Sequence, residues 1–453
     1  MKTRILSGIV PAAAIVSVSF LTAGTAFGQP RKPRIIATTD GEVDDRCSMV
    51  RFLMYANEWD IEGIIYSSSG FHCKGRSWAG TKWIEEDIDQ YAAGYKNLRQ
   101  HDPAFPTPQA LKKLVYIGNI DSAGEMTKVT PGSQRIVKVL LDDKGGPVYL
   151  QAWGGTNTIA RALKTIQEKH PDQVARVARK AIIYIILDQD KTFRRYIQPN
   201  WPDLQVLRSF RQFSAIAYSW HNHIPKRLHK YFDADWMKKN ILEGHGPLCA
   251  GYTVRSDNHC FKSEGDSPSF MHQIDVGLRS LEHPSYGGWG GRFEREKGSK
   301  NVWQDVKDLD DYKRKKWLKS QPIWRWAEAF QNDWASRADW CVAKNYKDAN
   351  HPPVVRLDCA ADQEAKPGAT VQLSAKGTKD PDGDKLSCKW WQYREPGSYP
   401  GAVKILSAER QQASFKVPDD AVKGQTVHVI CEVTDNGVPP LTRYRRVIVT
   451  FSK

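Results

Sequence analysis

Four carboxylates fall within six residues of the stretch Thr38-Thr39-Asp40-Gly41-Glu42-Val43-Asp44-Asp45. The run follows Arg34-Ile-Ile-Ala-Thr-Thr39, which reads as a short buried strand. It precedes an amphipathic helix with Met49, Phe52, Leu53 and Ala56 on one face. In an open α/β sheet, ligands bind beyond the carboxyl end of a strand. Carboxylates this crowded repel one another unless a positive charge sits among them. Ca²⁺ supplies that charge and takes roughly six to eight oxygen ligands. The competing reading is a solvated turn whose Asp44 and Asp45 stabilise the helix N-terminus.

Three further loops carry polar residues to places where they can join the first. Trp153-Gly-Gly-Thr156-Asn157 follows a strand at Val148–Trp153. Tyr196-Ile-Gln198-Pro-Asn200 lies beyond a strand at Ala181–Leu187. Lys262-Ser-Glu-Gly-Asp266-Ser-Pro-Ser precedes a helix through Phe270, Ile274 and Leu278, with Pro268 in its first turn. Each is ordinary alone: a Gly-rich turn, a loop, an Asp N-cap. Together they supply the rim of one sheet. A second strand, Ile61–Tyr66, ends in Ser67-Ser68-Ser69-Gly70 and then His72.

This set resembles the inosine-uridine nucleoside hydrolase superfamily, whose signature after the first strand is D-x-D-P-G-x-D-D. It looks more closely like the exported nucleoside-hydrolase-like family that joins this domain to a C-terminal β-sandwich, some members of which are described as cellulose-binding. The resemblance implies that Asp40 is a Ca²⁺ ligand and general base, Asp45 and Asp266 are Ca²⁺ ligands, and Thr156 gives its backbone carbonyl to the metal. It implies that Asp44, Asn200 and Gln198 (in place of a Glu) meet sugar hydroxyls. Asn157 belongs to the same substrate-facing set. Thr38 departs from the first Asp of the signature, Gly41-Glu42 from Pro-Gly, and Gly265 from a leaving-group His found in some members. The metal ligands are thus better kept than the groups that recognise a ribose and a base. His72 is the candidate for protonating a leaving group, against a structural role.

The chemistry implied is hydrolysis of an N-ribosyl or related glycosidic bond in a small riboside or glycoside. Water is activated by Asp40 and calcium, and attacks a carbon with oxocarbenium character. The alternative is a non-catalytic binder of carbohydrate, such as a cellulose-like glucan, using the same calcium site. A haloacid-dehalogenase-type phosphatase would need an Asp where Thr38 stands. No nucleophile elbow, P-loop or dinucleotide fingerprint occurs in the right context. The chain holds 16 Trp. Flat rings fit sugar faces, and Trp153 and Trp289 (in Gly-Gly-Trp-Gly-Gly) are the candidates; core packing is the other use for them.

Strands alternating with helices predict a mostly parallel sheet flanked by helices over residues 29–350. The composition then changes at Ala349-Asn-His-Pro-Pro353. Seven short strand-like runs follow: Val354–Cys359, Thr370–Ser374, Leu386–Tyr393, Ala402–Leu406, Ala413–Val417, Thr426–Val433 and Tyr444–Phe451. They predict an all-β immunoglobulin-like sandwich over 351–453. Its Asp380-Pro-Asp-Gly-Asp384 segment reads as a hydrogen-bonded turn. Of Trp390 and Trp391, strand alternation sends one ring to the core and the other outward.

Residues 1–28 have the layout of a secretory signal peptide: Lys2 and Arg4, an apolar stretch from Ile9 to Ala23, and Ala26-Phe27-Gly28 before the cut. The mature chain is therefore expected to be exported, periplasmic or extracellular, with no membrane span. Net charge is +15 and falls to +13 without Lys2 and Arg4. The positive residues are scattered, which argues against a nucleic-acid partner. A homodimer is compatible with the sequence. The eight cysteines permit disulfides in an exported chain. Cys249 and Cys260 can close a local loop, and Cys388 and Cys431 can bridge the sheets of the sandwich. No pair has zinc-site spacing.

Overall fold

The computed structural model describes residues 32–254, 260–313 and 318–453; the expected signal peptide lies outside them. The α/β part contains strands β1 (Arg34–Thr39), β2 (Asp60–Tyr66), β3 (Val115–Ile117), β4 (Val148–Ala152), β5 (Ala181–Ile186), β6 (Gln205–Ser209), β7 (Phe293–Arg295) and β8 (Val302–Asp305). They form one sheet in the order β3-β2-β1-β4-β5-β6-β8-β7. All pairings are parallel except β7 with β8.

Strands covered on both faces read as continuous apolar runs. All six residues of β1 are buried, as are five of the six in β5, Ala-Ile-Ile-Tyr-Ile-Ile. Ile36, Ile65, Leu150, Ile183 and Ile185 face the core under helices Pro131–Leu141 and Asn157–Lys169. Ile35, Ala37, Ile64, Tyr66 and Tyr149 face the other core, closed by helix α1 (Val43–Met54) and the helices Trp83–His101 and Ala327–Trp340. The period of two along each strand thus splits its side chains between two helical layers. The Pro131–Leu141 helix starts where its sequence directs: Pro131 opens it, and Thr130 and Ser133 form a capping box.

The strand order reverses at β1, whose neighbours are β2 on one side and β4 on the other. A crevice opens at such a switch point, beyond the carboxyl ends of the strands. The loops after β1, β2 and β4 all leave the sheet there.

The C-terminal part has strands β9 (Asp362–Ala365), β10 (Thr370–Ser374), β11 (Ser387–Gln392), β12 (Gln412–Lys416), β13 (Thr426–Thr434) and β14 (Thr442–Phe451). They form a two-stranded sheet, β10-β12, and a four-stranded sheet, β11-β13-β14-β9. Val371, Leu373, Phe415, Trp390, Val429 and Val447 join both sheets in one core. Two expected strands are absent. Val354–Cys359 and Ala402–Leu406 make only the single bridges Val354 to Lys379 and Leu406 to Ser414. Pro352 and Pro353 just before the first run offer no N–H to a ladder. The unexpected strand is β9, which pairs in parallel with β14.

Residues 33–453 form one compact unit. Trp390 lies in the sandwich core, whereas Trp391 packs on Trp326 of the α/β part, with ring centroids 5.9 Å apart. Arg446 on β14 is fully buried. It donates to the carbonyls of Leu278 and Tyr286, both at 2.7 Å, and its Nη1 lies 2.9 Å from His428 Nδ1. Arg325 joins Asp308 of the α/β part to Glu395 of the C-terminal part. Cys388 and Cys431 do not span the two sheets: they lie on neighbouring strands of one sheet, with sulfurs 3.7 Å apart. Cys249 and Cys260 are both free thiols rather than joined in a loop. Among the described residues no helix is long and apolar enough to cross a membrane.

Candidate functional site

The acidic loop turns inward rather than into solvent. Asp40, Asp44, Asp45 and Asp266 are all buried. Glu42 occupies the N-cap of α1 but makes no side-chain capping bond. Asp45 folds back from the first turn of α1, accepting from the Thr39 hydroxyl and from the Asp40 N–H at 3.2 Å. None of these acids thus makes a side-chain cap bond to α1, although Asp44 and Asp45 lie in its first turn.

Close approach of three loops builds the cluster. A Cβ on Gly154, after β4, would stand 2.8 Å from Asp40 Cβ and Cγ. A Cβ on Gly265 would stand 2.6 Å from Asp44 Oδ2. Only glycine lets either backbone come so near. The second contact also explains why no side chain, histidine included, occupies position 265. Arg51 on α1 pairs with buried Glu264, so the Glu264-Gly265-Asp266 turn is tied to the helix that carries Asp44 and Asp45.

The electrostatics are unrelieved. Burial, with Glu42 and Asp40 nearby, pushes the Asp44 carboxyl up to about 8. Burial and the neighbouring acids hold Asp45 and Asp266 well above the usual carboxylate range, and burial raises Asp40. Asp40 Oδ2 and both oxygens of Asp266 are buried with no hydrogen-bond partner. Buried polar atoms are rarely left so. Asp44, Asp45 and Asp266 each offer an oxygen such that these atoms lie within 4.8 Å of one another. An all-oxygen, anionic set of this kind, with both Asp266 oxygens unpartnered, fits a hard divalent cation.

The other expected residues are placed variously. Thr156 is buried, and its carbonyl accepts the first helical bond, from Ala160 N at 2.8 Å. Asn157 is buried and committed to the scaffold, bonding Ser67 Oγ, Ser68 Oγ and the Asn119 carbonyl, each at 2.9 Å. His72 reaches the cluster's edge, with Nδ1 3.5 Å from Glu42 Oε2. Gln198 and Asn200 do not join it. A π-helical turn at Phe193–Ile197 carries them into a separate groove and an exposed helix end. There Gln198 accepts from Arg194, and Asn200 donates to the Tyr196 carbonyl. Trp153 and Trp289 are core residues. Trp153 packs against Phe52 and Phe270, Trp289 against Phe330, and neither ring is more than 1% exposed.

Sequence reasoning missed three contributors. Asp190 accepts from Asn157 N at 3.0 Å and from the Thr156 hydroxyl, and Gln189 donates to the Trp153 carbonyl. Both follow β5 directly, so the rule applied to the other strand ends points to them. Tyr218 Oη lies 2.9 Å from Glu42 Oε1 and 3.2 Å from Asp44 Oδ1. No sequence signal links a tyrosine 174 residues away to this loop.

The large, mostly parallel sheet flanked by helices is nucleoside hydrolase-like, here followed by a strand-rich C-terminal part. The chain belongs to the family described as cellulose-binding Sde182, nucleoside hydrolase-like domain, whose model matches residues 34–293. The model of the cellulose-binding protein Sde0182 C-terminal domain matches residues 370–451. A nucleoside hydrolase-related hypothetical protein from Saccharophagus degradans, described as associated with carbohydrate metabolism, is 31% identical. The match covers 93% of this chain and 100% of that one, with a TM-score of 0.78. An inosine-guanosine nucleoside hydrolase is 12% identical over 66% of this chain and 98% of its own, with a TM-score of 0.32. No curated protein sequence matches the chain.

Proposed function

We propose that the protein is a Ca²⁺-dependent hydrolase cleaving a glycosidic bond of a small riboside or related glycoside. The observation that carries this reading is the set of buried, unpartnered oxygens of Asp40 and Asp266 at the switch point of the sheet. Asp45, Asp266 and Asp40 would hold the ion, with Asp44 adjoining. When bound, Ca²⁺ lowers the pKa of water in its shell. Asp40 takes the proton of the attacking water. Asp44, braced by Tyr218, orients a sugar hydroxyl. Gly154 and Gly265 let their loops close against Asp40 and Asp44, which holds these carboxylates in place.

A second reading, a carbohydrate binder built on the same cation site, is favoured by one observation. Gln198 and Asn200, expected to grip the sugar, lie away from the cluster. The cellulose-binding description of the matching family accords with it. Under either reading the ligand is a carbohydrate rather than nucleic acid. Residues 1–28 act as a signal peptide, 29–350 form the hydrolase-like domain, 351–453 form the sandwich domain, and the protein works outside the cytoplasm.

The test is sugar release from nucleosides and small glycosides, with Ca²⁺ or chelator, beside Asp40→Asn. Calcium-dependent release that disappears in the variant supports the hydrolase. Full turnover by the variant refutes the role of Asp40. Calcium-dependent binding of a glucan without release selects the binder.

A further inference from the structure

The acids at the switch point fall into two groups of different chemistry. Asp44, Asp45 and Asp266 are carboxylates alone. Asp40, Glu42 and His72 meet the same limit, each offering one ligand atom within 4.8 Å of the others, but one of them is an imidazole. We propose that Asp40, Glu42 and His72 form a second cation site, which takes a divalent transition ion of the Zn²⁺ type beside the calcium site and shares Asp40 with it. The inference rests on the reading of the neighbouring carboxylates as a cation centre.

The geometry supports it on each ligand. Asp40 is 1% exposed, and its Oδ2 has no hydrogen-bond partner. His72 Nδ1 likewise has none, although Glu42 Oε2 stands 3.5 Å away. Two ligands each bonded at about 2.1 Å to a tetrahedral ion stand roughly 3.4 Å apart. The pair thus has the spacing of co-ligands rather than of a hydrogen bond. Hydrogen bonds hold the Glu42 carboxylate and the His72 backbone in place. The Tyr218 hydroxyl donates to Glu42 Oε1 at 2.9 Å, leaving Oε2 for His72. The His72 backbone is pinned by Ser69, which donates N–H to the His72 carbonyl at 2.7 Å and accepts the His72 N–H on Oγ at 3.0 Å.

Ligand type separates the two ions. An all-oxygen set suits Ca²⁺, whereas imidazole with carboxylates suits Zn²⁺ and its neighbours in the transition series. Asp40 adjoins both sets: its N–H donates to Asp45 Oδ1 at 3.2 Å, and its carboxylate belongs to the His72 group. Two-metal centres carry their ions about 3.5–4 Å apart, a separation one shared carboxylate spans. His72 and Glu42 side chains are 20% and 25% exposed, so the second position opens to solvent.

The test is calorimetric titration of the mature full-length chain with Zn²⁺ in saturating Ca²⁺, repeated on His72→Ala and Glu42→Gln. Calcium-dependent thermal stabilisation is measured on all three proteins. Losing even an outer-shell partner costs about 10–100-fold in metal affinity. Loss of a ligand is therefore expected to weaken Zn²⁺ binding at least about 100-fold in both variants, with the calcium effect kept. Zn²⁺ binding that is absent, unchanged in both variants, or won only by displacing Ca²⁺ overturns the second site and leaves the first. Failure of both ions to bind overturns both readings.

Discussion

Arg51 on α1 holds Glu264 by two hydrogen bonds, Nε to Oε2 at 2.5 Å and Nη2 to Oε1 at 3.2 Å, with both side chains at most 1% exposed. The pair fixes the turn that presents Asp266. Breaking a buried pair strands a charge and costs about 3–5 kcal/mol. Arg51→Met is expected to lose that much in denaturant unfolding, and Arg51→Met with Glu264→Gln to recover part of it. An Arg51→Met variant of wild-type stability would show the pair to be dispensable.

Gly154 lets the β4 loop lie against Asp40. Gly154→Ala forces the 2.8 Å contact to relax, at a cost of about 1–3 kcal/mol for overpacking. Asp40 gives way at the same time, so calcium affinity measured by titration calorimetry should fall at least about tenfold. Unchanged affinity would place Asp40 outside the calcium shell.

The cluster should report its ion through stability. A ligand that binds only the folded state at about 100 times its Kd adds about 2.7 kcal/mol. Calcium should raise the melting temperature of the wild type and leave Asp266→Asn unmoved. In chelator the order should invert, with Asp266→Asn melting higher because one of the repelling buried carboxylates is gone. A calcium response retained in the variant would remove Asp266 from the site.

Acid should loosen the junction between the α/β and C-terminal parts. Burial, with Arg446 beside it, pushes His428 down to about 3 from an ordinary 6.5. Between those values the unfolded chain binds more protons than the folded one. Stability therefore falls as pH drops from 6.5 towards 3, by up to about 1.4 kcal/mol per pH unit. His428→Asn keeps an acceptor for Arg446 without the titration. Its unfolding free energy should vary less with pH over this window; an identical slope would assign the acid loss to other groups.

The central sheet and the acid cluster were legible because strand and loop signals coincide in sequence. β5 is wholly apolar, and β1, β2 and β4 each hold a buried apolar stretch (Ile35–Ala37, Ile64–Tyr66 and Val148–Leu150); Asp40, Gly154 and Asp266 sit where such stretches end or a helix begins. What was not legible depends on partners far along the chain. β3 and β7 are three residues long and carry no period to detect. Gln198 and Asn200 looked like rim residues, but the π-helical turn before them changes the direction of the chain. Trp153 and Trp289 have the sequence setting of loop aromatics, and only the packing of Phe52, Phe270 and Phe330 shows them to be core. Glu42 reads as surplus charge until Tyr218 and His72 close around it.

Arg446 carries one further consequence. Its guanidinium is spent on carbonyls of the segment 278–286, and β14 adds the bond from Tyr444 N to the Val276 carbonyl at 2.9 Å. That segment follows directly from the helix headed by Asp266. The sandwich is thus not a passenger on a flexible tether but the rear wall of the segment that follows the Asp266 turn. Heating should melt the two halves in a single calorimetric peak, and a load on one half would be felt at the turn of the other that carries Asp266.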